Sequence, residues 1–235
     1  MKKILLLCLV VLFGATGLVS AEESKPFQLS FWNPIQLFSA KDSICGLRLN
    51  LLYGDNEDMS GVTLSSGWTR TNGDMKGVDL GLANWRVGAS YGLKLGLLNY
   101  TGKRSVGLEI GAVNIVKGDT TSVNLGIINW NEGFFHGLQL GAVNYIDGCS
   151  IGFLVGVLNN VKGEFSGAQF GAVNRVSGIT TGFQCGLVNY AETMNGFQLG
   201  LFNASDSLNG LQIGLCNYAG QDKPREYMPL VNWSF

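Results

Sequence analysis

The chain is poor in the groups that carry out chemistry. His136 is its only histidine, so a Ser-His-Asp triad would rest on one turn residue with no fixed partner. There is no CxxC pair, no HExxH and no phosphate-binding loop; the many G-x-x-x-G spacings arise from a repeat and carry no nucleotide meaning. Acidic residues are scattered over turns rather than held in pairs on rigid elements, which removes the usual acid–base arrangement. The three acids of Asp55-Asn56-Glu57-Asp58 do not have the spacing of a calcium loop. No catalytic, metal or cofactor residues are therefore expected. Charge is also scarce, at 14% of residues against the usual quarter. Asn, Gln, Ser, Thr and Gly supply the polarity instead. There is no basic patch. With Lys2 and Lys3 set aside, 14 basic residues face 17 acidic ones, a balance that repels phosphate and argues against a nucleic-acid partner.

Long apolar runs are confined to the beginning. Lys2-Lys3, the apolar run Ile4 to Phe13 and the small residues Val19-Ser20-Ala21 read as a secretory signal over 1–21. Cys8 lacks the small neighbours of a lipid-anchor site. No later uncharged stretch is long enough to span a membrane as a helix. Export by a Sec-type signal to the outer membrane or cell surface, with the periplasmic face as another address, is the expectation. Cys45, Cys149, Cys185 and Cys216 fall in units that are not neighbours, so no disulfide is expected.

What the chain has in abundance is one phrase. Gly137-Leu138-Gln139-Leu140-Gly141-Ala142-Val143-Asn144-Tyr145 recurs as GFQCGLVNY from Gly182, GLQIGLCNY from Gly210 and GLKLGLLNY from Gly92. The leading residues stand 14 to 16 apart, with Ser122 replacing one glycine. Such a period decides the architecture before any local reading. Counted from that glycine, positions 2, 4 and 6 are apolar apart from Ser66, and 1, 3 and 5 are glycine or polar apart from Leu154, the period of a strand with one buried face. A helix would be penalised by about 1 kcal/mol for each of its glycines. Position 8 is asparagine at Asn84, Asn99, Asn114, Asn129, Asn144, Asn159, Asn174, Asn189, Asn203 and Asn217, with Asn33 and Asn232 in the atypical end units. On simple strand parity it shares the hidden face of the leucines, where stacked asparagines form a hydrogen-bonded ladder.

Two assemblies satisfy this pattern. In the first, the fold is an all-β parallel β-solenoid of about 12–14 coils of 14–16 residues, leucines inside and asparagine at a corner. In the second, it is a 14-stranded antiparallel up-and-down outer-membrane β-barrel, with turns such as Asp147-Gly148. The alternating ending Tyr227, Pro229, Val231, Trp233, Phe235 resembles the terminal signal of such barrels. The solenoid is favoured because the barrel would set an asparagine against acyl chains in nearly every strand, at several kcal/mol each. The expected organisation is signal 1–21, an N-terminal cap and first strand over 22–45, the array over 46–224 and a terminal strand over 225–235.

Two rows point away from the leucines on this reading. Trp85, Tyr100, Trp130, Tyr145, Tyr190 and Tyr218 form an aromatic stripe, and Gln139, Gln169, Gln184, Gln198 and Gln212 a polar one. Together they are the candidate binding face, for a glycan or another envelope component, with no partner identified. The repeat unit, the segment NPIQLF…GLRLNLLYG and the ending PLVNWSF resemble the bacterial surface repeat-containing proteins of two-membraned bacteria. The resemblance spans the chain after the signal. It implies export and envelope location rather than a reaction, hence a non-enzymatic protein with a structural or adhesive role, or, on the barrel reading, an integral outer-membrane protein connected with transport.

Overall fold

The computed structural model describes residues 24–220 and 226–235, so the predicted signal lies outside the described residues. All described elements are strands; there is no helix among them. The chain divides into two compact units, Met1–Gly102 and Lys103–Phe235. Each is a parallel β-solenoid, with about 13 turns counted over both. The first contains β1 (Lys25–Trp32), β2 (Ile35–Gln36), β3 (Ile44–Asn56), β4 (Met59–Ser65), β5 (Trp68–Thr71), β6 (Met75–Leu80), β7 (Ala83–Arg86), β8 (Ser90–Leu95) and β9 (Leu98–Thr101). The second contains β10 (Ser105–Ile110), β11 (Val113–Val116), β12 (Thr120–Leu125), β13 (Ile128–Asn131), β14 (Phe135–Leu140), β15 (Val143–Ile146), β16 (Ser150–Val155), β17 (Leu158–Val161), β18 (Phe165–Phe170), β19 (Val173–Cys185), β20 (Val188–Leu199), β21 (Phe202–Ala219) and β22 (Tyr227–Ser234).

The antiparallel barrel is excluded by the pairing. In the larger unit β14 runs parallel to β16 with Gly137 beside Gly152, and β15 parallel to β17 with Asn144 beside Asn159. In the smaller unit β6 runs parallel to β8 with Gly77 beside Gly92, and β7 to β9 with Asn84 beside Asn99. A typical repeat is not one strand but two, of 6 and 4 residues, such as β14 and β15. A two-residue bend at positions 5 and 6 joins them, and a second turn at positions 11 to 13 returns the chain to the start. Like therefore lies over like, one coil apart.

That bend overturns the expected burial. It takes up two residues, so strand parity does not carry across it. Positions 14 and 3 face inward on the first strand and 8 and 10 on the second, as Phe135, Gln139, Asn144 and Ile146 show, all fully buried. The leucines at positions 2, 4 and 6, expected to fill the interior, face outward. Leu95, Leu140 and Leu199 are all exposed, and the position-6 side chains Ile127, Val157, Leu187 and Leu215 at the bend are more so. The hydrocarbon inside is limited to short rows, among them Phe135, Ile146, Leu154, Val161, Phe165 and Val176.

Glycine is called for at two places in a typical coil. At position 1 the backbone of Gly152 has φ +137°, and a Cβ there would come within 2.0 Å of the Gly137 carbonyl oxygen, a contact that no side chain rearrangement relieves. At position 5 a Cβ on Gly141 would lie 2.7 Å from Asn129 Nδ2. The G-x-x-N spacing thus reflects an asparagine amide pressed against the bend.

Both ends depart from the repeat. In the smaller unit β2 turns back antiparallel on β1, and Gln28 exchanges two hydrogen bonds with the Phe38 backbone, at 3.0 and 2.9 Å. Phe38 packs on Ile44, Met59 and Met75, so the 34–43 insert covers the inner row of the first coil. In the larger unit β22 pairs antiparallel with β21. Its Asn232 lies beside Gln212 rather than over Asn217, so the C-terminal segment is a reversed closing strand and not another repeat.

Candidate binding face

Inside the larger unit the asparagines form a continuous ladder. Asn114, Asn129, Asn144, Asn159, Asn174, Asn189 and Asn203 each donate from Nδ2 to Oδ1 of the next asparagine, Asn217 closing the row, at 2.8–2.9 Å. The second Nδ2 proton goes to the position-4 carbonyl of the next coil, for example Asn144 to Val155 at 3.0 Å. That carbonyl also accepts from the bend glycine, Gly141 N at 3.0 Å, which uses both its lone pairs. In the smaller unit Asn84 donates to Asn99 at 2.8 Å. The row is continued downward by Thr69, which pairs with Asn84, because the units from Gly46 and Gly61 carry one extra residue in the bend.

The five glutamines do not belong to an outer face. Gln139, Gln169, Gln184, Gln198 and Gln212 are fully buried, since position 3 shares the inside with position 8 once the bend has reversed parity. Gln212, Gln198 and Gln184 donate backward to Gln198, Gln184 and Gln169 at 2.7–2.8 Å. The row is broken by Leu154, and Gln139 on its far side has neither amide atom hydrogen-bonded. A buried amide without partners costs about 1–3 kcal/mol. Gln139→Met should therefore stabilise the larger unit by roughly that amount, read as a raised urea midpoint; a lowered midpoint would show that the amide is satisfied in solution.

The smaller unit carries charge where the larger has mostly amides. Arg48, Asp79, Arg86 and Lys94 are all inside. Arg86 forms a buried ion pair with Asp79, Arg48 donates to Thr63, Thr71 and the Arg70 carbonyl at 3.1–3.2 Å, and Lys94 donates to Thr101. Burial pushes the Arg48 guanidinium down to about 10 and, with Arg48 nearby, holds that of Arg86 well below its ordinary value.

The aromatic row does lie outside. Trp85 and Tyr100 stack with ring centres 3.9 Å apart, and Trp130 and Tyr145 lie 4.3 Å apart. Tyr190 donates to Asp206 at 3.2 Å; burial first, then this carboxylate, pushes its hydroxyl up. Tyr218 packs against Tyr227 of the closing strand. In the smaller unit Trp32, Tyr53, Trp68, Arg70 and Trp85 line a shallow hollow of about 500 Å³.

The surface that sequence reasoning missed is apolar. It consists of the rows at positions 2, 4, 6 and 7, which carry no charged residue in any unit from Gly46 to Gly210. In the smaller unit Leu29, Leu49, Leu64, Leu80 and Leu95 line a groove of about 650 Å³ along the row. In the larger unit the bend forms an apolar corner, with Ile127, Val157 and Leu215 more than 60% exposed. The charges collect at the opposite turn, where Lys117 pairs with Glu132 and Lys162 with Asp147. The hydrogen bond to Asp147, 2.8 Å long, raises Lys162 above its ordinary value. The signal was present in the sequence as charge-free rows, but rows of leucine read equally as core.

His136 is exposed on the first strand of its coil, and among the described residues no group of three or more His, Cys, Asp or Glu side chains is placed to hold a metal ion. Cys45, Cys149, Cys185 and Cys216 are free thiols. No family model matches the chain, and neither a curated protein nor a solved structure does.

Proposed function

We propose that this is a non-enzymatic repeat protein of the bacterial cell envelope, exported by the segment 1–21, whose outer face serves structure or adhesion. The observation that carries the reading is the outward, charge-free apolar surface repeated from coil to coil. Monomeric soluble proteins rarely leave contiguous apolar patches of more than a few hundred Å² in water, and larger ones mark contact surfaces. The likeness of the G-Φ-Q-Φ-G-Φ-Φ-N unit to surface repeat-containing proteins of two-membraned bacteria supports an envelope address. The aromatic row offers stacking faces beside the apolar rows, whereas the glutamines, being buried, contribute nothing to an outer surface. Because neighbouring units pair in parallel, an integral barrel is not part of the proposal.

Fractionation of cells expressing the full chain tests it. The expected result is a product with the mass of the chain cleaved after Ala21, recovered with the envelope. An uncleaved product in the cytosolic fraction would overturn the reading.

A further inference from the structure

We propose that the apolar corner of the larger unit is a lipid-binding edge that enters the acyl layer of one membrane leaflet; this rests on the envelope reading only for where the lipid is met. The corner is the position-6 row at the bend. Its large side chains Ile127, Val157, Leu187 and Leu215 are 61, 62, 56 and 63% exposed, and Leu201 is 43% exposed. Nothing in the described unit covers them.

The occupant is indicated by how polarity changes away from the corner. Immediately beside it are the apolar rows at positions 4 and 7, such as Leu140 and Leu158, both partly exposed. Next along the second strand comes the ring row with Trp130 and Tyr145. Charge follows only at the far turn. Between Lys103 and Gly220 every charged residue lies at positions 11 to 13, except Glu109, which is buried, and Arg175, which is exposed. Arg175 sits in the ring row itself, 6.0 Å from the Tyr190 ring centre, where a long stem lets the guanidinium reach toward water. Hydrocarbon, then Trp and Tyr, then charge is the order of environments met on leaving a bilayer.

The dimensions agree. The ring row is three residues from the corner, about 10 Å at the rise of an extended strand. Interfacial amphipathic elements bury their apolar faces about 5–10 Å deep. Such a wedge would occupy one leaflet and leave the charged turn in solvent.

A second copy of the chain accounts for less. Two such corners facing each other would meet nearly the same row at each coil, so many registers would be of similar energy. A dimer also gives no reason for rings to stand between apolar and charged rows. A lipid surface needs no register, and a corner without charge needs no anionic headgroup.

Flotation of the purified full chain tests the proposal, with phosphatidylcholine vesicles and with vesicles that also contain phosphatidylglycerol. The chain should float with both, and raising the salt concentration should not release it. Ile127→Asp, Val157→Asp and Leu187→Asp combined should lower partitioning by at least about tenfold, since three apolar anchors become charges. These side chains point outward, so circular dichroism should be unchanged. The apolar run Ile4 to Phe13 is the same in both proteins, which assigns any loss to the corner. In a variant with Trp130 as its sole tryptophan, bromines near the headgroup end of the acyl chain should quench more than bromines near the tail.

A folded chain that does not float, or a triple variant that floats as well as its parent, would overturn the proposal. So would a lipid-free dimer that the triple variant dissociates, because the corner would then be occupied by a second copy. Failure of export would leave flotation untouched, so the two readings fail separately.

Discussion

Asn159→Leu is expected to destabilise the larger unit by roughly 3–6 kcal/mol, the combined cost of stranding two buried polar groups and repacking a filled site. Asn159 Oδ1 accepts from Asn144 at 2.8 Å, and its Nδ2 donates to Asn174 at 2.8 Å and to the Phe170 carbonyl at 3.0 Å. Leucine removes all three bonds. The Phe170 carbonyl still accepts from Gly156 N, but one Asn144 proton and the Asn174 oxygen lose their partners away from water. The same change at Asn217, the last rung, strands one asparagine proton, that of Asn203, rather than two amide groups, and removes donors to the Gly214 and Met228 carbonyls, both at 3.1 Å, at the end of the array; it should cost less. Urea unfolding of both variants gives the comparison. Equal costs at the two sites, or a loss under about 1 kcal/mol at Asn159, would mean that the ladder is not what holds the coils in register.

Asp79→Asn should cost the smaller unit about 3–5 kcal/mol, because it removes the carboxylate beside Arg86 and leaves a charge in the interior without compensation. The substitution keeps the side-chain volume, so packing loss does not confuse the result. Arg48 and Arg86 are both buried and repel each other, which adds to the penalty when the carboxylate paired with Arg86 is neutralised, since Asp55 acts on Arg48. Arg48 alone shows the sign of the pH effect. Its folded value of about 10 lies below the ordinary guanidinium value, so the unfolded chain binds more protons between the two. The cost of burying its charge is fully present at neutral pH and is relieved as pH rises through that window. Replacing both members of the pair, Asp79→Leu with Arg86→Met, should recover most of the lost stability, as apolar replacements of buried ion pairs often do. A single variant as stable as its parent would show that Arg86 finds another partner.

The repeat made much of this architecture legible. Glycine at position 1 and asparagine at position 8, returning every 14 to 16 residues, were enough to favour stacked parallel coils over a barrel. The asparagine ladder followed, since identical buried amides satisfy one another only when stacked. At the ends the pattern says less. Phe38 of the insert after Asn33 packs on Ile44, Met59 and Met75, and Met228-Pro229-Leu230-Val231-Asn232 imitates a repeat while running in the opposite direction. Its register against β21 depends on the approach of a reversed strand, which five residues of pattern do not encode.

The candidate face was read partly wrong for one reason. Trp85, Tyr100, Trp130, Tyr145, Tyr190 and Tyr218 lie outside as expected, yet Gln139, Gln169, Gln184, Gln198 and Gln212 lie inside and the leucine rows lie outside. Alternation along a strand specifies which residues share a face, but not which face is covered. Sequence alone determined the period, the short strands and the grouping of residues into rows. Only the tertiary structure decided which rows are enclosed. The two-residue bend at Gly141-Ala142 and its equivalents reverses parity between the two strands, and the stacked coils then let the asparagine amides satisfy one another, so that a polar interior is less costly than its composition suggests.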